Sequence, residues 1–123
     1  MFKIPYEVNM NVLLMINSNN PEIKWNAVRF GNVLLNEGDD VSIFLNGPGV
    51  TLYDGDSDLF PIREQVKSFC LSDGILRAWG KCMDIHGVNV DEFVKRSNMK
   101  ELHALVSAAD KIISYWFLLV STH

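Results

Sequence analysis

Short, wholly apolar runs recur along this chain with helical stripes between them, and that alternation restricts the fold more than any other feature. Residues 12–16 read Val-Leu-Leu-Met-Ile, and Asn17-Ser18-Asn19-Asn20-Pro21 cuts the run off. Five apolar residues ended so sharply point to a strand buried on both faces. Asn20 followed by Pro21 predicts a helix start, a capping side chain and then proline in the first turn. Ile23, Ala27, Phe30 and Leu34 lie on one face of that helix, and Gly38 stops it. Residues 41–45 form a second strand candidate. It ends in Asn46-Gly47-Pro48-Gly49, which reads as a loop that is neither helix nor strand.

Pro61 suits the first turn of a second helix with Ile62, Val66, Phe69 and Cys70 inward and Gly74 at its end. Residues 75–79 predict a third strand, closed by Gly80. Residues 88–96 are ambiguous between a helical turn and a short strand. Asn98 and Glu101 have capping-box spacing, with Asn in the place of the usual Ser or Thr. Met99, Leu102, Val106 and Ala109 then make a last helical stripe, and residues 112–120 a last strand.

Strands alternating with helices at this spacing mean βαβ units, hence a parallel sheet with helices on both faces. In such sheets ligands and chemistry sit at the carboxyl ends of the strands. Segments 17–20, 46–50 and 80–87 are therefore the ones to watch. The length of 123 residues suits one domain. We expect residues 1–10 to be an extension, with Met10 a possible alternative start, and 11–123 to be the domain. With 11 basic against 15 acidic side chains the net charge is −4, which argues against a general phosphate-backbone binder. The first nine residues lack the apolar core of a signal peptide. The longest apolar stretch, 115–120, is far short of the ~20 residues that span a bilayer. The expectation is a soluble, cytoplasmic protein with neither nucleic acid nor membrane as partner. The 115–120 stretch is also too apolar for a free tail, and predicts a buried strand or a subunit contact.

Cys70 falls mid-helix beside Ile62 and Val66 and reads as a small core hydrophobe. Cys82 follows a strand and a glycine, with Arg77, Lys81 and His86 close in sequence. Those cations, and backbone N–H groups if a helix starts after Gly80, would favour a thiolate. Cys82, Asp84 and His86 fall short of the four ligands of a closed zinc site, so no metal is expected. Asp54, Asp56 and Asp58 resemble the start of a calcium loop, but Leu59 and Gln65 stand where glycine and glutamate are required. Gly47-Pro48-Gly49 lacks any full phosphate-loop pattern.

The stretch Ala78-Trp79-Gly80-Lys81-Cys82-Met83-Asp84-Ile85-His86-Gly87 resembles the A-C-G-x-C-x-x-x-R-G loop of the DsrE/DsrF-like (YchN-like) sulfur-relay family. Ile43-Phe44-Leu45-Asn46-Gly47-Pro48-Gly49-Val50 is similar to that family's F-L-x-G-x-G-V segment. Ala108-Ala109-Asp110-Lys111-Ile112-Ile113-Ser114-Tyr115 is similar to its closing A-D-K-V-V-S-F strand. The likeness spans roughly residues 11–115. It implies a three-layer α/β/α domain with a mostly parallel sheet of about five strands, cytoplasmic homo-oligomers (trimers or hexamers), and a cysteine that carries sulfane sulfur as a persulfide. Here Cys82 would be the sulfur acceptor, with Lys81, His86 and Gly80 supporting the anion. No cofactor is implied, and the partners would be sulfur donors and acceptors, proteins or small sulfane compounds. Two positions depart from the pattern. Trp79 stands at the first cysteine, the persulfide position of the DsrE/TusD-type carriers, and His86 at the arginine. Trp79 also means that this loop holds no cysteine pair. A second reading is an interaction subunit of the same fold without chemistry. A third is a small nucleotide-like ligand bound at 17–20 and 46–50.

Overall fold

The structure, a computed structural model, describes residues 9–116. Five strands, β1 (Asn11–Asn17), β2 (Asp40–Leu45), β3 (Ile75–Trp79), β4 (Lys95–Ser97) and β5 (Lys111–Trp116), form one sheet in the order β4-β3-β2-β1-β5. All four pairings are parallel. The helices are α1 (Pro21–Asn36), α2 (Ile62–Leu71), α3 (Gly80–His86) and α4 (Met99–Ala108). The chain steps from β1 to β4 in one direction, so right-handed crossovers put α1, α2 and α3 on the same face. It then returns across the sheet to β5, which puts α4 on the other face. The result is the three-layer α/β/α architecture expected.

Local chemistry sets most boundaries. Asn20 caps α1, its Oδ1 accepting the Ile23 N–H at 3.0 Å. Asn98 caps α4 in the same way through the Glu101 N–H, at 2.9 Å. Glu101 does not complete the capping box. Its carboxylate takes the Ser97 hydroxyl and, at 3.4 Å, the Arg77 guanidinium. The ambiguous 88–96 stretch becomes an Asp91-centred turn, with N–H donors from Phe93 and Val94, followed by the three-residue β4.

Several expectations need correction. The buried face of α1 is Lys24, Ala27, Val28 and Gly31, and Phe30 is exposed. The helix is rotated because Lys24 can go inward: its amine donates to the carbonyls of Thr51 (2.7 Å) and Asp54 (2.8 Å). Burial, partly offset by the Asp54 charge, holds that amine below the usual lysine range. The stripe on α4 is not a core face, since Met99 and Val106 are exposed and no residue of α4 is buried. Residues 47–50, expected to be neither helix nor strand, form a 3₁₀ turn, Gly47–Val50. Proline fits there because its missing N–H lies in the unpaired first turn. The 80–87 segment is mostly helix rather than loop. β5 begins at Lys111, and the 117–120 part of the predicted strand, like residues 1–8 of the expected extension, lies outside the described residues.

The main core lies between the sheet and α1 to α3. Phe69 of α2, packed against Gly31 and Gly74, is its fully buried aromatic. At the carboxyl edge the 3₁₀ turn presses on β1 so closely that a Cβ on Gly49 would collide with the Ile16 carbonyl oxygen. Only glycine lets the two backbones approach like this.

Candidate functional site at the carboxyl edge of the sheet

β1, β2 and β3 end side by side, so Asn17, Asn46 and the start of α3 meet at one edge. Cys82, in the first turn of α3, is turned inward and only 5% exposed. Its Sγ accepts the Gly47 N–H at 3.2 Å and lies 3.9 Å from Asn46 Oδ1, at the long limit of a sulfur hydrogen bond. Asn46 Nδ2 donates to Asn17 Oδ1 at 2.9 Å, and Asn17 Nδ2 to the Met15 carbonyl at 3.4 Å. Asn17 and the neighbouring Ser18 are buried, and Ser18 Oγ accepts the Asn20 N–H. The thiol therefore stands at the end of a chain of two carboxamides, Asn46 half-buried and Asn17 buried.

The structure brings together fewer of the sequence-predicted residues than their spacing suggested. Gly80 is buried, and Arg96 lies across it, its Nε 2.6 Å from where a Cβ would stand. Arg96 also forms a two-pronged ion pair with Asp84 at 2.9 Å in each arm. That pairing, with Lys81 adding to it, holds the Asp84 carboxyl below the usual carboxylate range. Lys81 and His86 are exposed on α3 and make no hydrogen bond to Cys82 among the described residues. Arg77 is drawn away from the thiol. It lies on the α4 side of the sheet, facing Glu101. Gly47 and Asn46 face the thiol, with Asn17 behind Asn46. The sequence marked their segments but not their pairing, which depends on strand register.

The other cysteine differs. Cys70 is half-buried on α2, and burial pushes its thiol up to about 11, with Asp91 adding to the rise and Arg77 and Lys95 opposing it. Such a thiol stays protonated at neutral pH and is a poor nucleophile. Asp54, Asp56 and Asp58 are exposed, and Asp56 serves the start of α2 by accepting the Arg63 N–H at 3.0 Å. No cluster of three or more His, Cys, Asp or Glu that could hold a metal occurs among the described residues. No helix among them is long and apolar enough to cross a membrane.

An all-parallel α/β/α sheet with a buried thiol at its carboxyl edge defines the class of protein. Comparison with solved structures narrows the fold. The chain superposes on the YchN protein of E. coli with a TM-score of 0.75 at 16% identity, covering 86% of this chain and 99% of that one. It superposes on BT1422 of Bacteroides thetaiotaomicron, a conserved protein of unknown function, with a TM-score of 0.66 at 18% identity, covering 85% and 94%. The fold is YchN-like. No protein-family model and no curated protein matches the chain.

Proposed function

We propose that this chain is a DsrE-like sulfur carrier that accepts sulfane sulfur on Cys82 and passes it on. The observation that carries the reading is the position of Cys82 Sγ, at the carboxyl edge of a YchN-like sheet with the Gly47 N–H directed at it. A backbone donor there favours negative charge on sulfur. In the reaction the Cys82 thiolate attacks the outer sulfur of a persulfide R–S–SH. A new S–S bond forms on Cys82, the old one breaks, and R–S⁻ leaves and takes the proton, so no electrons are gained or lost overall. Lys81 and His86 are exposed on the same helix and would meet an incoming anion from the solvent side, and the near-complete burial of Cys82 favours a small sulfane compound as donor over a folded protein.

The protein would act in the cytoplasm as a homotrimer or homohexamer within a sulfur relay. Incubation with a sulfane donor and intact-mass measurement test the chemistry. Wild type should gain one sulfur and Cys82→Ser none, while equal labelling of Cys70 would sink the assignment. One observation favours a second reading, an interaction subunit without chemistry: Trp79, half-buried, stands where the resembling family has its first cysteine. Absence of any sulfur gain would favour it.

A further inference from the structure

We propose that Asn17 and Asn46 form a hydrogen-bond relay of fixed direction that keeps an amide oxygen turned toward Cys82, with Asn46 the positioning residue. The relay deepens the sulfur-carrier reading and rests on it for its relevance to transfer. Its direction follows from its anchor. The Met15 carbonyl oxygen can only accept, so Asn17 must present Nδ2 to it and Oδ1 to its neighbour. Asn46 must then present Nδ2 to Asn17, which leaves Oδ1 facing sulfur. Reversing either amide would set oxygen against oxygen in a site where Asn17 is 6% and Cys82 5% exposed. Asn17 is buried and costly to leave unpaired, and its order fixes that of the half-buried Asn46 bonded to it.

An oxygen facing Sγ welcomes S–H and repels S⁻. The Gly47 N–H acts the opposite way, but it belongs to the backbone and is always there. The sulfur thus sits between a fixed donor and an acceptor that the bond to Asn17 holds in place. Charges are poorly placed to do this work. Lys81 and His86 on α3 are exposed, Asp84 is paired with Arg96 of β4, and the end of β1 and the Gly47–Val50 turn carry no ionisable side chain.

The test is the alkylation rate of Cys82 against pH in the full chain, in a Cys70→Ala background so that one thiol reports. Asn46→Ala removes the facing oxygen, and Asn17→Ala frees the amide to turn. Each should move the midpoint of the profile to lower pH and raise the neutral-pH rate about threefold or more, since one unit in midpoint is close to tenfold in thiolate. Asn46→Asp should move the midpoint up and slow the reaction. If Asn46→Ala does not fold, Asn17→Ala decides alone. A midpoint that stays or rises in the alanine variants overturns the relay. So does a faster rate at every pH with an unmoved midpoint, which means only wider access. The sulfur-mass experiment is independent of this one. A chain that gains no sulfur yet shows the shifts keeps the relay and loses the carrier function, and the converse result does the reverse.

Discussion

The two faces of the sheet are built from alternate residues of the same strands, yet among the described residues only one is fully covered. On the α1–α3 side, Val12, Leu14 and Ile16 of β1 and Val41, Ile43 and Leu45 of β2 are at most 3% exposed. On the α4 side, Leu13 and Phe44 are buried, but the row through Leu13 and Ser42 runs out to Ile75 at 40% and Ile112 at 47% exposed. The cause is topological. Three crossovers in one direction stack three helices on one face, and the single return leaves α4 to cover the other. The first face is a self-sufficient core. Among the described residues, the second is an apolar surface with too little over it, although parallel sheets are normally covered on both sides.

The sharpest way to break that comparison is to truncate one side chain on each face. Phe69→Ala on α2 empties a fully buried site and should cost about 3–5 kcal/mol in urea unfolding, since large-to-small changes leave a cavity as well as losing transfer energy. Leu105→Ala on α4, where the side chain is only half-buried, should cost about 1 kcal/mol or less. Equal costs would show that α4 is part of the core after all.

The strands and the helix caps were legible in the sequence because their signals are local. Run length, Asn20-Pro21 and Asn98 act within one turn of where they stand. What stayed hidden depends on partners far along the chain. Lys24 counts as polar in any helical pattern, and only the carbonyls of Thr51 and Asp54, which the fold brings to it, make its burial tolerable. The rotation of α1 could not be read without them. The apolar stripe on α4 is legible, but a stripe does not say whether it meets its own sheet or something else. At the site, Cys82 and the three carboxyl-edge segments were legible, but the Asn17–Asn46 pairing and the Gly47 contact were not. Each joins residues that are neighbours only once β1, β2 and β3 are in register.

A smaller effect comes from pH, through Cys70 on the well-packed side. Its folded value of about 11 lies above the ordinary 9.0. The unfolded thiol therefore ionises first, and the stability linked to Cys70 is present below pH 9.0 and lost as pH rises through about 11. The advantage of wild type over Cys70→Ala should shrink by about 1 kcal/mol across that window, after discounting for solvent screening. Urea midpoints of both proteins at pH 8 and pH 10.5 measure it. A constant gap would mean that the α2 face is more open to water around Cys70 than its burial indicates.

The smallest effect on stability is expected on the α4 side, and there the informative change is in association. Ile75 lines a groove of about 150 Å³ together with Leu13 and Ser42 of the sheet and Leu105 and Ala108 of α4, and Ile112 pairs with Leu13 on the neighbouring strand. At roughly half exposure, neither isoleucine has much burial to lose within one chain. The double change Ile75→Ser with Ile112→Ser should therefore alter unfolding by about 0.5 kcal/mol or less per site. Burial of a large apolar side chain is worth ~1.5–3 kcal/mol, and symmetric association repeats each contact in every subunit. If this face meets a second copy, the same double change should shift sedimentation from oligomer to monomer at micromolar concentration. A loss of several kcal/mol in a chain that stays assembled would place these residues in the subunit's own core and end the contrast between the faces. A wild type that is itself monomeric at that concentration would leave the face exposed and remove the homo-oligomer from the proposed function.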